Sequence, residues 1–294
     1  MMETLPAQHS PPAPAGHEQE ANTAATGPPG ASHPHELVLL HGQPGSAGDW
    51  QLVTARLPAQ LRVVVADRPG YGSNPRSAAG FAANARAVLD QLDSHGIRHA
   101  VLVGHSYGGG VALATANLAP HRVEAVVLLA SVGPGCVNRW DRLLAAPVAG
   151  PLCALMAWRL TPWIARARLA LTAWLRHRPL APDEHVNWQV WAHVSRGNRA
   201  LWRTFLAEQR ALVRELDELV AAVPSVQAPV LLLADPADRL VPVTTARRLA
   251  AALPDARLQL IEGAGHHLPR RAPDAVADAI EAFMLATDFA GRLS

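Results

Sequence analysis

Residues 101–110 read Val101-Leu102-Val103-Gly104-His105-Ser106-Tyr107-Gly108-Gly109-Gly110. An apolar run stops at Gly-x-Ser-x-Gly, and a helix-compatible stretch, residues 109–118, follows. The order is buried strand, sharp turn, helix. The turn forces the serine into a strained backbone conformation. A side chain at position 104 or 108 would strike neighbouring backbone, so both positions are glycine. Gly104, His105 and Gly108 therefore read as an elbow that lifts the Ser106 hydroxyl off the end of a strand. The helix behind it aims its N-terminal N–H groups at charge developing there.

Outward from the elbow, the same rhythm recurs. Short runs rich in Val and Leu lie at 37–40, 62–66, 100–103, 125–130, 230–234 and 258–261. They do not alternate with polar residues, as expected of parallel strands covered on both faces. Helical patterns fill the gaps at 82–94, 109–118, 244–253 and 273–285. The expected class is α/β, a doubly wound, mostly parallel sheet.

Residues 136–222 break the alternation. They contain no convincing strand, yet they hold seven of the eight tryptophans (Trp140, Trp158, Trp163, Trp174, Trp188, Trp191 and Trp202). Pro147, Pro151, Pro162, Pro179 and Pro182 divide them into helix-like pieces. We read a helical cap inserted over the sheet, so the core is 34–135 and 223–294. The uncharged run 143–158 is too short for the ~18–20 residues a membrane span needs. Lining a substrate cavity or lying peripherally on lipid suits such a cap better.

Composition narrows the chemistry. With 49% apolar and 17% charged residues in 294, most of the chain is globular. A net charge of +2 argues against a nucleic-acid partner. All 26 basic residues are arginine, so lysine Schiff bases and Walker P-loops are excluded. Two cysteines make no disulfide framework. No metal-ligand spacing and no Gly-x-Gly-x-x-Gly appears, so no metal and no cofactor is expected. Residues 1–33 are rich in Pro, Ala, Gly and His and read as a disordered tail. They lack the basic start and apolar run of a signal peptide, so the expected location is cytoplasmic.

A serine hydroxyl needs a base, and the base an orienting carboxylate. Both should stand at later strand ends. After 230–234 comes Asp235-Pro236-Ala237-Asp238, and after 258–261 comes Gly263-Ala264-Gly265-His266-His267. Spacing alone leaves Asp235 or Asp238, and His266 or His267, open.

Taken together, residues 36–286 resemble a capped α/β-hydrolase fold protein of the serine esterase type. Ser, Asp, His is that superfamily's chain order. The resemblance implies Asp238 as the acid, because Asp235 to Pro242 matches Gly-x-x-Asp-x-x-x-Pro with Asp235 in place of the glycine. It implies His266 as the base, because that position follows Gly-x-Gly. Ser131-Val132-Gly133 offers no carboxylate at the alternative acid position. His41-Gly42-Gln43 matches the His-Gly-x motif, so the backbone N–H groups of Gln43 and Tyr107 are the implied oxyanion hole. Pro44 has no N–H to give. His41 and the Asp67-Arg68-Pro69-Gly70-Tyr71-Gly72 loop are expected to be structural. The implied function is a Ser106–His266–Asp238 hydrolase cleaving a small-molecule apolar ester through an acyl-enzyme. Alternatives on the same triad are a C–C bond hydrolase, a lactonase or a perhydrolase. A non-catalytic ligand-binding member is a further alternative. The fold's usual leading hairpin has no good counterpart before Leu37.

Overall fold

The computed structural model describes residues 35–78, 80–176 and 201–287. The expected tail, Trp188, Trp191, Pro179 and Pro182 lie outside the described residues. Six strands, β1 (Glu36–Leu40), β2 (Arg62–Ala66), β3 (Ala100–His105), β4 (Val123–Leu129), β5 (Val230–Ala234) and β6 (Ala256–Leu260), form one sheet in the order β2-β1-β3-β4-β5-β6. Every pairing is parallel, with Leu39 beside both Val65 and Val103.

The unbroken apolar runs have a physical origin. Val38, Leu40, Val64, Leu102, Val126 and Leu232 point to one face, into a core shared with α2 (Phe81–Ser94), α3 (Tyr107–Leu118) and α7 (Val243–Ala252). Leu37, Leu39, Val63, Val101, Val127 and Leu233 point to the other. There they meet Val53 of α1 (Gln51–Thr54), Leu268 of α8 (Leu268–Arg271) and Ile280 and Phe283 of α9 (Pro273–Ala286). Both positions of the two-residue period are buried, so no polar alternation survives. The strand at the β6 edge is the exception: Arg257, Gln259 and Leu260 are exposed where a covered strand was expected. An edge strand has a neighbour on one side only and tolerates polar residues.

Between β4 and β5 the described chain is helical: α4 (Arg139–Ala145), α5 (Ala149–Arg176) and α6 (Leu201–Ala222). Two expectations change here. Pro151 and Pro162 do not end helices; α5 runs through both. Pro151 sits in the first turn, where an N–H has no helical acceptor, and Pro162 costs one internal hydrogen bond without breaking the helix. Nor does α6 sit wholly over the sheet. Leu212, Leu216 and Leu219 belong to the same apolar core as β3 and α3.

Winding reverses at β1. The loop after β1 leads toward β2, and β3 pairs on the opposite edge of β1. Such a switch point leaves a crevice at the C-terminal ends of the two strands. Ser106 directly follows β3 and Gln43 lies just beyond β1, so both border it.

Candidate active site

The elbow is built as its glycines require. Ser106 has φ 54° and ψ −118°, outside the regions L-residues favour. The strain is held from β4: Ser106 N–H donates to Leu129 O at 2.9 Å, and Val132 N–H donates to Ser106 O at 3.2 Å. A Cβ on Gly104 would lie 2.6 Å from Gly109 Cα, and one on Gly108 would lie 2.6 Å from His41 O. Neither residue can be anything larger.

The later loops complete the constellation. His266 Nε2 is 3.0 Å from Ser106 Oγ, and His266 Nδ1 is 2.8 Å from Asp238 Oδ2. The other Asp238 oxygen accepts from the N–H groups of Leu240 (2.8 Å) and Val241 (3.0 Å). With the carboxylate accepting at Nδ1, the bare Nε2 of a neutral ring faces the serine. Asp235 does something else. Its oxygens accept from Ala237 N–H at 2.7 Å and Gly265 N–H at 2.6 Å, tying the loop after β5 to the loop after β6. Burial raises its pKa, but the backbone N–H groups of Ala237, Gly265, Ala264 and Gly263 outweigh it and hold the carboxylate below its usual range. Of the two carboxylates and two histidines that spacing leaves open, the structure brings Asp238 and His266 to Ser106.

The two neighbouring imidazoles are kept neutral. His105 Nε2–H donates to the His266 carbonyl at 2.7 Å, fixing the backbone of His266. Burial, then the nearby His266 and His267, press the His105 pKa well below 6.5. His267 is pushed down to about 4 by burial, then by His266 and Arg270.

A cavity of about 80 Å³ opens at Ser106, lined by Gly42, Gln43, His266, Leu240 and Arg270 among others. Arg270 is the one cation in that described lining, and Asp49 holds it through Nε (3.2 Å) and Nη2 (2.5 Å). A larger cavity, about 730 Å³, lies between α2, α3 and α6 and touches none of the three residues above. No cluster of metal-ligating side chains occurs among the described residues.

Gly42 packs against the elbow: a Cβ there would lie 3.1 Å from Ser106 Cβ. The Gln43 side chain is held by the segment above it. Gln43 Nε2–H donates to Gln209 Oε1 at 2.7 Å, and Gln209 Nε2–H donates to Asp141 Oδ1 at 2.9 Å. Asp67 organises its own loop, accepting from Ala47 N–H (2.7 Å) and Ser73 N–H (2.9 Å). His41 is fully buried; Nδ1–H donates to Gly42 O at 2.8 Å, and Nε2 accepts from Arg68 N–H at 3.0 Å.

Three residues escape the sequence reading. Arg68 and Glu208 form a buried ion pair beneath the His41–Gly42 loop, and Gln209 contacts that loop beside it. A signal existed for the acid. Leu201, Phe205, Glu208, Leu212, Leu216 and Leu219 recur at three- and four-residue spacing, which puts a carboxylate on an apolar stripe.

Residues 37–279 match the model of a family described as "Alpha/beta hydrolase family". Over 85% of its length the chain is 28% identical to a 2-hydroxymuconate semialdehyde hydrolase of Pseudomonas putida, covering 87% of that protein. A pimeloyl-[acyl-carrier protein] methyl ester esterase of Aromatoleum aromaticum is 31% identical over 79% of this chain and 90% of its own. Among solved structures, a thermophilic esterase from Thermogutta terrifontis superposes with a TM-score of 0.68 at 21% identity, covering 86% of this chain and 90% of that one.

Proposed function

Because the chain belongs to the alpha/beta hydrolase family, we propose that it is a serine hydrolase cleaving carboxylic esters with an apolar acyl or alcohol part. The observation that carries this reading is the continuous line Ser106 Oγ–His266–Asp238, with contacts of 3.0 and 2.8 Å. Ser106 Oγ attacks the carbonyl carbon while His266 Nε2 takes its proton. Asp238 stabilises the imidazolium and keeps its own charge. The backbone N–H groups of Gln43 and Tyr107 receive the oxyanion. His266 then protonates the departing alcohol, leaving an acyl-Ser106 that water cleaves by the same relay. Of the expected cap 136–222, the described helices α4, α5 and α6 cover this site, with α6 also packed into the sheet's core.

Two points favour a neutral ester. The cation in the described lining, Arg270, is already neutralised by Asp49. One relative bears the name of a methyl ester esterase. Ser106→Ala should lower turnover of p-nitrophenyl esters by at least about a thousandfold with an unchanged unfolding transition. Undiminished turnover overturns the proposal. A second reading, C–C bond hydrolysis of a dienoic keto acid by the same residues, draws support from the semialdehyde hydrolase that matches 85% of the chain. Rapid cleavage of vinylogous diketones with negligible ester turnover would select it.

We further propose that an anionic lipid surface covers α5. No helix among the described residues is long and apolar enough to cross a membrane. Yet Leu152, Met156, Leu160, Trp163, Leu171 and Trp174 are all exposed and recur on one side of the helix. The same helix carries four arginines and no acidic residue. Trp and Leu on one face with arginine beside them suit an interfacial helix on anionic headgroups. Flotation with phosphatidylglycerol vesicles should carry the protein upward, and Trp163→Ser/Trp174→Ser should not float. Recovery in the soluble fraction alone, or a dimer blocking this face, overturns it.

A further inference from the structure

The proposed reaction uses the cavity side of the His41–Gly42–Gln43 loop. Its opposite side rests on a charge the reaction never touches. Arg68 and Glu208 are almost completely buried, with side chains 1% and 0% exposed. One guanidinium grips two consecutive carbonyls of the loop: Arg68 Nε–H donates to His41 O at 2.9 Å, and Nη2–H donates to Gly42 O at 2.8 Å. Two further N–H donors go to the Glu208 carboxylate, from Nη2 at 3.1 Å and from Nη1 in close contact. Tyr71 O–H donates to the same carboxylate at 2.7 Å. The guanidinium carbon also lies 4.9 Å from the ring centre of Tyr107 and 5.0 Å from that of Tyr71.

Of the two peptide groups that Arg68 grips, the second bears on the oxyanion donor. The Gly42 carbonyl belongs to the same amide as the Gln43 N–H. That amide is trans, so its C=O and N–H point in opposite directions. Arg68 and the His41 ring both donate to the carbonyl. They hold it inward, which turns the Gln43 N–H to the side where Gly42 and Gln43 border the Ser106 cavity. Donation to the carbonyl also polarises the amide and strengthens its N–H as a donor. Glu208 comes from α6, so the segment between β4 and β5 fixes a guanidinium that fixes the oxyanion loop.

We infer that Arg68, held in place by Glu208, is a positioning residue for the Gln43 oxyanion donor, so seating of α6 and formation of the oxyanion hole are one event. The inference rests on the hydrolase reading above, which assigns the Gln43 N–H that role. Glu208 fixes the direction of the guanidinium; without it Arg68 stays buried and charged but is no longer aimed at Gly42 from both sides.

A suitable test follows phosphonylation of Ser106 by a p-nitrophenyl alkylphosphonate. The Ser106 Oγ–P bond forms, the P–O bond to nitrophenolate breaks, His266 takes the serine proton, and the phosphoryl oxygen occupies the oxyanion hole. The rate constant reports the site, while the burst amplitude counts folded enzyme. Arg68→Lys and Glu208→Gln should lower the limiting rate constant tenfold or more, with an unchanged midpoint of its pH profile. Tyr71→Phe removes a hydrogen bond to the same buried carboxylate but none to the loop, and should stay within about threefold of wild type. Should Arg68→Lys fail to fold, the isosteric Glu208→Gln decides. Wild-type rates in Glu208→Gln, or an equal loss in Tyr71→Phe, overturn the inference. A wild-type enzyme that the phosphonate does not label would instead overturn the hydrolase reading itself.

Discussion

Helices α5 and α6 come from the same stretch of chain, are 28 and 22 residues long, and share a vocabulary of Leu, Trp, Ala and Arg. They behave as opposites. α6 sends Leu212, Leu216 and Leu219 into the core of the sheet. It also carries acidic groups that bind that core: Glu208 to Arg68 and Tyr71, and Glu215, whose Oε2 accepts from the Phe81 N–H at the start of α2 at 2.8 Å. α5 has no acid and leaves Trp163 and Trp174 more than two-thirds exposed. The difference lies in the acidic residues and where they fall on the apolar stripe. Leucines at helical spacing supply adhesion to any apolar surface, whereas a buried acid on that stripe demands one particular partner and so fixes position.

The comparison predicts unequal consequences when each helix is cut. Glu208→Ala leaves the Arg68 guanidinium buried without its counter-ion and should cost about 3–5 kcal/mol. For a chain of this size that is roughly a 10 °C fall in the unfolding midpoint. Calorimetry or chemical denaturation would read it. A loss below about 1 kcal/mol would mean that α6 is held by its leucines alone.

Acid should attack the same anchorage. His41 accepts the Arg68 N–H and is held well below pKa 6.5, by burial first and then by the Arg68 charge. His105 and His267 are likewise lowered, the latter to about 4. A histidine whose folded pKa is depressed binds its proton more readily in the unfolded chain. Stability is therefore full above pH 6.5 and drains away as pH falls from there toward 4. His267 alone contributes about 1 kcal/mol of this loss between pH 7 and 5.5, and His41 and His105 add to it. Unfolding midpoints measured across that range should fall, and His267→Gln should flatten the slope. A flat profile in the wild type would contradict the buried neutral histidines.

How much of this was legible beforehand follows from how local each feature is. The sheet was legible because parallel strands covered on both faces spell continuous Val and Leu; β6, with Arg257 and Gln259 at the sheet edge, was legible only in part. The elbow was legible because its geometry admits only glycine at 104 and 108. Asp235 and Asp238 were harder. Both stand just past a buried strand; spacing left them open, the family resemblance pointed to Asp238, and the distances show Asp235 bound to the Gly265 N–H and Asp238 to the His266 ring. Pro162 looked like a helix terminus, but an internal proline removes a single helical hydrogen bond, and α5 continues past it. The Arg68–Glu208 pair spans 140 positions. No window on the chain contains both members, so only the fold could reveal what either is for.

A milder cut on α6 refines the contrast. Glu215→Ala removes an acceptor from the first turn of α2, where the Phe81 N–H has no helical partner. This should cost about 1 kcal/mol, the ordinary value of a lost cap, and should leave phosphonylation of Ser106 unchanged. A large kinetic effect would spread the coupling along all of α6 instead of confining it to the turn that bears Glu208.

The smallest effect is expected on α5, and its smallness is what makes it informative. Trp163 and Trp174 are 69% and 68% exposed, so replacing both by serine in the free protein removes little buried area. The change in unfolding free energy should stay within about 0.5 kcal/mol, the usual range for surface substitutions. With anionic vesicles present, the wild-type protein should gain stability, because a surface that binds only the folded state shifts the unfolding equilibrium; the double variant should gain less. Denaturation with and without vesicles separates two causes of one observation. If the tryptophans are exposed because a lipid surface belongs against them, stability changes only when lipid is there. If the variant is already destabilised by more than about 1 kcal/mol without lipid, the face of α5 is packed within the chain in solution, and the contrast with α6 is one of degree.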